Sequence, residues 1–461
     1  VELWNRTWAD IEPVSLLFDR GMSRLWIGTQ SDGLWYVDTA TRQLHAATAP
    51  HFPQQCIKDI ELVSDSTLWC GIDGRGVWKL SRDGSRVLNI WQEDADNPLS
   101  IRGNGVYDLY WQRSGRIWVC SVTGGVSVAD LTSPAVTRLQ HRINNPNSLV
   151  NNHIHALIED SRGQLWAGTN SGLSCWNPHT DKWINYFEER DSEAFIVLAL
   201  REDSDGNIWV GTYAHGVYVM DGKNPRIIAH YTRQTGILAK TGFVFDILKD
   251  RNGDMWLAGM GGEILKYDYL TRKFETYPVK PIYTMDEWDD HTLILGCNNG
   301  LLLLDKNTKK LTTLLTNNMI QDVAVVQDKI WVGSNGGGLL SYNMRTNAVE
   351  KYDMRQGLIS NYVNSVLYSD GYLWLGTDKG LCRFNTIDKT ITTYSSPMTI
   401  SNVSYNSDAC FQFHNGMFAW GTSDGIIILD PKTLNMQEPS GRIYIQDILL
   451  SGQSIRQYPD L

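Results

Sequence analysis

Apolar and polar residues alternate in short runs along the whole chain, and the runs are separated by turns rich in Gly, Asp and Asn. The stretches 154–158 and 363–367 show this alternation clearly. A two-residue period bounded by turn residues is typical of half-buried β-strands. Since no stretch keeps a 3.6-residue apolar period, leucine-rich, ankyrin and tetratricopeptide arrays are excluded. The pattern predicts an all-β protein.

One strand motif recurs through the chain: an apolar residue, Trp, another apolar residue, Gly, and then Thr or Ser. Three copies, at 69, 118 and 256, are weaker, and two more keep the frame without Trp in that slot. The copies centre on Trp26, Trp69, Trp118, Trp166, Trp209, Trp256, Ile294, Trp331, Trp374 and Ala419. Their mean spacing is about 44 residues, which is typical of four-stranded propeller blades. We therefore predict a β-propeller fold with ten repeats.

Each repeat has the same internal order. An alternating strand comes first, and an Asp-containing turn such as 160–163 leads to the Trp strand. A short loop then reaches a second Gly, which opens a third strand, and a polar turn precedes the fourth. One Trp in each blade supplies about 150–250 Å² of buried surface, so we assign these Trp residues to packing between blades and not to ligand binding.

Composition and charge exclude several classes of protein. The 461 residues include 18 Trp and 40 Gly but only 14 Pro, and the formal net charge is −10. An acidic surface argues against nucleic acid as a partner. No run of about 18 consecutive apolar residues is present, so no membrane span is predicted. The N-terminus has no leader pattern, so we expect any signal peptide to be absent or already removed. The seven cysteines form no CxxC pair, so neither a metal site nor a cofactor is predicted.

The segment 145–173 resembles the two-component regulator propeller repeat. It combines Asn-Pro-Asn-Ser-Leu at 145–149, an alternating strand at 154–158, the turn Asp-Ser-Arg-Gly at 160–163 and Leu-Trp-Ala-Gly-Thr at 165–169. The resemblance extends over the ten copies. It implies the periplasmic sensor region of a hybrid two-component system, whose parent protein is a histidine kinase. It also implies carbohydrate sensing, with an oligosaccharide as ligand, and a homodimer formed through the parent sensor.

The end of the chain carries a second resemblance. Residues 442–455 are similar to the first strands of the immunoglobulin-like domain that follows the propellers in such sensors, before a membrane helix and the kinase. Family members commonly carry two seven-bladed propellers. We therefore predict three blades of an incomplete propeller at 1–140, a seven-bladed propeller at 141–440 and a truncated immunoglobulin-like domain at 441–461. The alternative of a single ten-bladed ring stays open.

Ring closure makes a sharper prediction. If the last seven copies form one ring, residues 136–140 become the outer strand of the blade that contains Ala419. Pairing of 136–140 with the strand that starts at Gly125 would contradict this arrangement.

Candidate ligand residues follow from strand order. Loops between the second and third strands share a face with the connections between blades, and propeller ligands commonly use such a face. Amide, charged and aromatic side chains there suit hydrogen bonding and stacking against sugars. The candidates are Asp73, Arg75, Asn152, His153, Tyr213, His215, Asn335, Tyr362, Asp378 and Lys379.

Two other functions compete with a sensor. A propeller enzyme acting on glycans, either a lyase or a glycosidase, would need paired carboxylates, which the sequence alone does not place. GxSxG, HExxH, P-loop and CxxC motifs are absent, so we predict no catalytic residues. An interaction scaffold like the WD-repeat proteins would share the fold, but their Gly-His and Trp-Asp signatures are missing.

Overall fold

The structure is a computed structural model that describes residues 11–97, 99–131, 136–187, 195–224, 226–232, 242–394, 400, 403–434, 447, 449–450 and 453–454. Within these residues the chain folds into ten sheets of the blade type and one short terminal hairpin. We number the blades 1 to 10 in chain order. The all-β prediction is confirmed.

Blades 1 to 3 form the N-terminal group, and blade 3 has three strands. Their strands are β1 (Pro13–Asp19), β2 (Arg24–Thr29), β3 (Leu34–Asp38), β4 (Gln43–Ala46), β5 (Ile57–Val63), β6 (Thr67–Ile72), β7 (Gly76–Ser81), β8 (Val87–Trp91), β9 (Val106–Gln112), β10 (Arg116–Ser121) and β11 (Gly125–Asp130).

Blades 4 to 9 are antiparallel four-stranded sheets whose strands follow chain order. Blades 4 to 6 contain β13 (Ile154–Glu159), β14 (Leu165–Thr169), β15 (Gly172–Asn177), β16 (Lys182–Tyr186), β17 (Val197–Glu202), β18 (Ile208–Thr212), β19 (Val217–Met220), β20 (Ile227–Tyr231), β21 (Asp246–Lys249), β22 (Met255–Ala258), β23 (Glu263–Asp268) and β24 (Lys273–Pro278).

Blades 7 to 9 contain β25 (Ile282–Asp289), β26 (Thr292–Cys297), β27 (Gly300–Asp305), β28 (Leu311–Thr316), β29 (Met319–Val326), β30 (Lys329–Asn335), β31 (Gly338–Asn343), β32 (Val349–Tyr352), β33 (Val363–Ser369), β34 (Tyr372–Thr377), β35 (Gly380–Asn385) and β36 (Ile391–Thr393).

Blade 10 is assembled from two distant parts of the chain. It combines β37 (Tyr405–Gln412), β38 (Phe418–Thr422) and β39 (Gly425–Leu429) with β12 (Val136–Leu139), which pairs antiparallel with β39. The predicted pairing of this segment is therefore confirmed. Arg138 lies 3.2 Å from the Asp424 carboxylate, and Gln140 donates a hydrogen bond to the same carboxylate. These contacts hold the closing strand.

Blades 4 to 10 form a closed ring. The first strands of neighbouring blades pack side by side from β13 to β37, and β37 packs back against β13. Across this junction Asn406 Nδ2 donates to the Ile154 carbonyl, and the His414 backbone N–H donates to Glu159 Oε2 at 2.8 Å. Blade 10 thus meets blade 4, which establishes a seven-bladed ring and not a ten-bladed one.

The Trp slot forms the packing core, as predicted. Trp26 in the N-terminal group and Trp166 and Trp256 in the ring are fully buried, and the other ring copies are nearly so, whereas Trp118 on blade 3 is half-buried. Three of the Asp turns do more than cap the chain reversal. Asp160 Oδ1 accepts the N–H groups of residues 162 and 164, while its Oδ2 accepts Trp166 Nε1 at 2.9 Å. The turn and the core Trp are therefore joined through one carboxylate.

The N-terminal group presents apolar side chains on both of its outer sides. Leu16 and Phe18 on β1 are 63% and 53% exposed, and Tyr110 and Val126 on blade 3 are 58% and 57% exposed. The corresponding surfaces inside the ring are covered by the next blade. The outward faces of blades 1 and 3 are therefore apolar in the same way as the blade faces that are buried inside the ring.

A 3₁₀ turn at Met354–Gln356 lies between blades 8 and 9, and another at Pro431–Thr433 follows β39. After the ring, β40 (Leu449–Leu450) pairs with β41 (Gln453–Ser454). Most of the predicted immunoglobulin-like segment at 441–461 lies outside the described residues, so its assignment stays a prediction. Among the described segments, the structure has no helix long and apolar enough to cross a membrane.

Candidate ligand-binding site

The upper face of the ring is the end that carries the loops between second and third strands and the connections between blades. Strand alternation places eight of the ten predicted residues there: Asn152, His153, Tyr213, His215, Asn335, Tyr362, Asp378 and Lys379. Asp73 and Arg75 occupy the same loop of blade 2, in the N-terminal group. Arg75 Nε donates to Gln55 Oε1 at 2.8 Å, so part of its guanidinium is already bonded within that group.

Several of the predicted residues meet other polar or aromatic groups. Asn335 and Tyr362 form an isolated antiparallel β-bridge between blades 8 and 9. The ring of Tyr213 packs edge-on against Phe243, with centroids 4.4 Å apart, and His215 stacks on Phe195 at 5.1 Å. These contacts hold Tyr213 and His215 against neighbouring aromatic rings and join blades 8 and 9 on the upper face.

Other candidates are occupied locally. Asn152 Oδ1 accepts the His141 N–H at 2.6 Å, and His153 lies 4.8 Å from the ring of His155. His155 in turn bonds to Asn170, and burial lowers the pKa of both imidazoles. The Lys379 N–H bonds to Thr377 Oγ1, while Asp378 Oδ1 is buried without a hydrogen-bond partner among the described residues.

Sequence reasoning missed a second set of residues, at the start of the innermost strands. Five of these strands in the ring skip one residue in their pairing with the next strand, so that residue has no cross-strand partner. A β-bulge of this kind re-aims a side chain. The unpaired residues are His155, Leu198, Tyr283, Gln321 and Asn364. These five residues differ in chemical type, so no shared residue marks the bulge in the sequence. The only sequence signal is their position near the start of the first strand of each blade.

Two contacts place this second set at the inner edge of the ring. Ser407 Oγ donates to Gln321 Oε1 at 2.5 Å, which joins blade 10 to blade 8 past the intervening blade. The rings of Phe245 and Tyr283 stack with centroids 5.2 Å apart. The axis of the ring is therefore lined by amide, hydroxyl and aromatic groups.

A cavity of about 210 Å³ lies on this axis, between the first strands of blades 4, 5, 6 and 10. We call it the axial cavity. Its polar and aromatic lining includes Arg201, Phe245, Asp246, Asp408, Phe411 and Gln412. Arg201 Nε donates to the Ile247 carbonyl at 2.8 Å, which fixes the guanidinium against blade 6.

The axial cavity is part of a channel along the ring axis, between the innermost strands. Carboxyl groups of four of these strands surround the channel. Asp246 Oδ2 accepts the Met285 N–H and Asp322 Oδ2 accepts the Val366 N–H, both at 2.6 Å. Each bond ties one blade to the next. Desolvation by burial raises the pKa of Asp286 to about 6 and that of Asp322 to about 8.

Asp408 completes this group, with a left-handed backbone at φ 52° and a side chain open to the channel. Desolvation raises its pKa well above the usual range, and the charges of Asp246 and Asp322 raise it further, while Arg201 opposes the shift. The channel therefore favours neutral carboxyls over carboxylates. Within the described part of the chain, no three His, Cys, Asp or Glu side chains are placed to hold a metal ion.

Comparison with protein families matches three segments of the chain to the two component regulator propeller: residues 148–171, 192–214 and 357–379. These segments run from the connection before a blade to the end of its Trp strand, or close to it, in blades 4, 5 and 9. The resemblance drawn from the sequence is confirmed in these copies.

Among curated proteins, the chain is similar to histidine kinase P4 of Formosa agariphila. The two are 24% identical over 361 residues, which cover 62% of this chain and 26% of the relative. The chain thus spans about a quarter of the length of the curated relative that it matches.

Among solved structures, the chain is similar to the extracellular domain of a proposed one-component system from B. thetaiotaomicron. The TM-score is 0.54 at 19% identity, over 95% of this chain and 60% of that one. The WD40 repeats of RRP9 match with a TM-score of 0.51 at 9% identity, over 65% of this chain and 98% of that one. Both similarities concern the fold.

Proposed function

Because the chain carries two component regulator propeller repeats, we propose that it is the extracytoplasmic ligand-sensing region of a hybrid histidine kinase. The observation that carries this proposal is the match of three separate blades to that repeat. The similarity to a histidine kinase supports it, as does the shared fold with an extracellular domain. In this proposal the region itself is non-catalytic and periplasmic, and segments outside this sequence connect it to the membrane and the kinase.

The ligand that we propose is a glycan-derived oligosaccharide, so that the protein would control polysaccharide utilisation. Support comes from the side chains on the upper face and along the axis. Tyr213 and Tyr362 are 45% and 48% exposed. His215 follows Tyr213 by two residues, and Asn335 is bridged to Tyr362. Aromatic faces combined with polar groups able to donate and accept suit the apolar faces and hydroxyl groups of sugars.

Signalling requires a ligand that distinguishes two arrangements of the sensor. A ligand shifts such an equilibrium only by its difference in affinity for the two states. We propose that a homodimer supplies the two arrangements, and that the immunoglobulin-like domain transmits the change. Light scattering of the chain with and without the bound oligosaccharide measures whether the dimer exists and whether the ligand alters it.

The division of the chain follows the same proposal. We infer that blades 1 to 3 belong to a first propeller whose remaining blades lie outside this sequence, because Leu16, Phe18 and Tyr110 expose apolar surface that ring blades cover. Contiguous exposed apolar surface of this kind marks a contact site. On this division, residues 1–140 hold the partial propeller, except for the closing strand at 136–139.

The test is calorimetric titration of the chain with neutral, amino and acidic oligosaccharides, together with chromatography of each mixture after incubation. We expect one class to bind and to be recovered unchanged. Cleavage of a bound oligosaccharide would instead establish a glycosidase or lyase. Absence of binding across the panel would contradict the glycan ligand and favour an interaction scaffold.

A further inference from the structure

We propose that the axial cavity binds a single uncharged sugar ring, the terminal residue of a glycan chain. This inference rests on the proposed function. It places the binding site for the terminal sugar of the glycan inside the ring, below the upper face. It is carried by the size of the cavity, by two unpaired polar groups in its wall and by its aromatic lining.

Size limits the ligand to one ring. The cavity has a volume of about 210 Å³, whereas pockets for drug-sized molecules occupy roughly 300–1,000 Å³. A second sugar ring would have to lie outside the cavity. A site of this size on the axis therefore selects a chain end and rejects the middle of a polymer.

The wall offers a donor and an acceptor that protein groups leave free. Arg201 uses Nε for the Ile247 carbonyl, and its terminal N–H groups have no hydrogen-bond partner within the described residues. Asp408, across the channel, likewise has no hydrogen-bond partner among the residues that the structure describes. A sugar hydroxyl both donates and accepts, so a pair of neighbouring hydroxyls matches a guanidinium and a carboxyl at once.

Charge favours a neutral ring over a uronic acid. The cavity has three carboxyls, Glu159, Asp246 and Asp408, for one guanidinium, and Asp286 and Asp322 lie in the strands nearby. A ligand carboxylate would meet repulsion whenever one of the wall carboxyls ionises. A neutral sugar meets no such repulsion, and it can bond to the carboxyl in either protonation state.

Aromatic side chains supply the apolar contact. Phe245 and Phe411 both line the cavity and are partly exposed. Phe245 is held by Tyr283 at 5.2 Å, and Phe411 by Phe413 at 4.6 Å. Rings fixed in this way form rigid surfaces against which the apolar face of a sugar can pack.

The test measures the affinity of the whole chain for neutral hexose oligosaccharides and for their counterparts that end in a uronic acid. We expect neutral ends to bind, and uronic acid ends to bind at least about tenfold more weakly. Asp408→Ala removes the carboxyl to which a sugar hydroxyl would bond, and Gln412→Trp blocks the exposed end of the cavity. Each should weaken binding by about tenfold or more, whereas Lys273→Ala, on an exposed outer strand, should leave it unchanged.

The outcomes separate the two proposals. If both cavity variants bind as the wild type does while Tyr362→Ala abolishes binding, the axial-cavity inference is overturned and the sensor proposal stands. If no oligosaccharide binds the wild type, both fail. Should a cavity variant fail to fold, nuclear Overhauser contacts between a ¹³C-labelled sugar and the rings of Phe245 and Phe411 decide the point, and their absence from a saturated complex overturns the inference.

Discussion

At the scale of single residues, one carboxylate links the Asp turn to the blade core in blades 4, 5 and 6. In blade 5, Asp203 Oδ1 accepts the N–H groups of residues 205 and 207, and Oδ2 accepts Trp209 Nε1 at 2.9 Å. Asp160 and Asp250 make the same bonds but also contact Arg162 and Lys306. Blade 5 therefore shows the link without an ion pair.

Replacing Asp203 by Asn should destabilise the ring by about 1–3 kcal/mol, because an amide N–H₂ would face the indole N–H and leave a buried donor unpaired. Urea unfolding followed by Trp fluorescence measures the change. Asp65→Asn, in an exposed turn with φ 51°, is the matched control and should have little effect. Equal stability of the two variants would show that the indole bond contributes nothing.

The axial carboxyls predict an unusual pH dependence. The pKa of Asp322 is raised to about 8 by desolvation, and it is about 3.9 in an unfolded chain. Since the folded state keeps a proton that the unfolded state has released, stability falls as the pH rises from about 4 to about 8 and levels off above that. The melting temperature of the wild type should therefore drop between pH 6 and 8 and change little from this cause above pH 8.

Asp322→Asn should flatten that drop, because the amide oxygen still accepts the Val366 N–H but carries no charge. Scanning fluorimetry from pH 6 to 9 compares the two proteins, and Asp370→Asn, in an exposed turn, controls for the loss of one surface carboxylate. If Asp322→Asn shows the same slope as the wild type, the titration lies elsewhere. Other groups of the channel that bear on the result are Arg201, Asp246, Asp286, Asp408 and Cys410.

At the scale of strands, the second Gly of the repeat has a steric reason. Gly425 has φ 101°, and a Cβ built on it would lie 2.4 Å from the Leu139 carbonyl oxygen. The third strand of blade 10 begins at this point, directly against the closing strand. Any larger residue would push β12 away from β39.

Gly425→Ala should therefore cost more than backbone strain alone. Gly416 has φ 87° and open space around it, so Gly416→Ala measures the cost of the left-handed backbone, about 1 kcal/mol. The clash at 425 should add a further ~1–3 kcal/mol and increase amide exchange over residues 136–139. Equal costs for the two variants would contradict a tight approach of the closing strand.

Strands and turns could be predicted from the sequence where the copies of the repeat align with one another. The Trp slot, the Asp turns and the pairing of 136–140 with blade 10 all followed from aligning copies. The axial side chains did not, because Arg201, Asp246 and Asp408 converge from three separate blades and depend on ring geometry. The bulges at His155 and Gln321 also escaped prediction, because skipping one residue in a register leaves the apolar alternation on either side intact.

At the scale of the molecule, the ring is a separate unit that includes β12. A chain of residues 136–434 should unfold in one cooperative transition, because every blade then keeps its fourth strand. A chain of 141–434 lacks β12, exposes the edge of β39 and should melt several degrees lower and aggregate. Calorimetry and light scattering compare them, and identical melting would show that closure does not depend on β12.

The closing strand also sets an order of events during synthesis. Gln140 bonds to Asp424 across 284 residues, so β12 leaves the ribosome long before its partner exists. At about 5–20 residues per second, the wait is roughly 15–60 s. During that time a four-residue strand with Arg138 at its centre carries a charge that discourages pairing with other chains. Translation of the last blade therefore determines when β12 can pair and the ring can close.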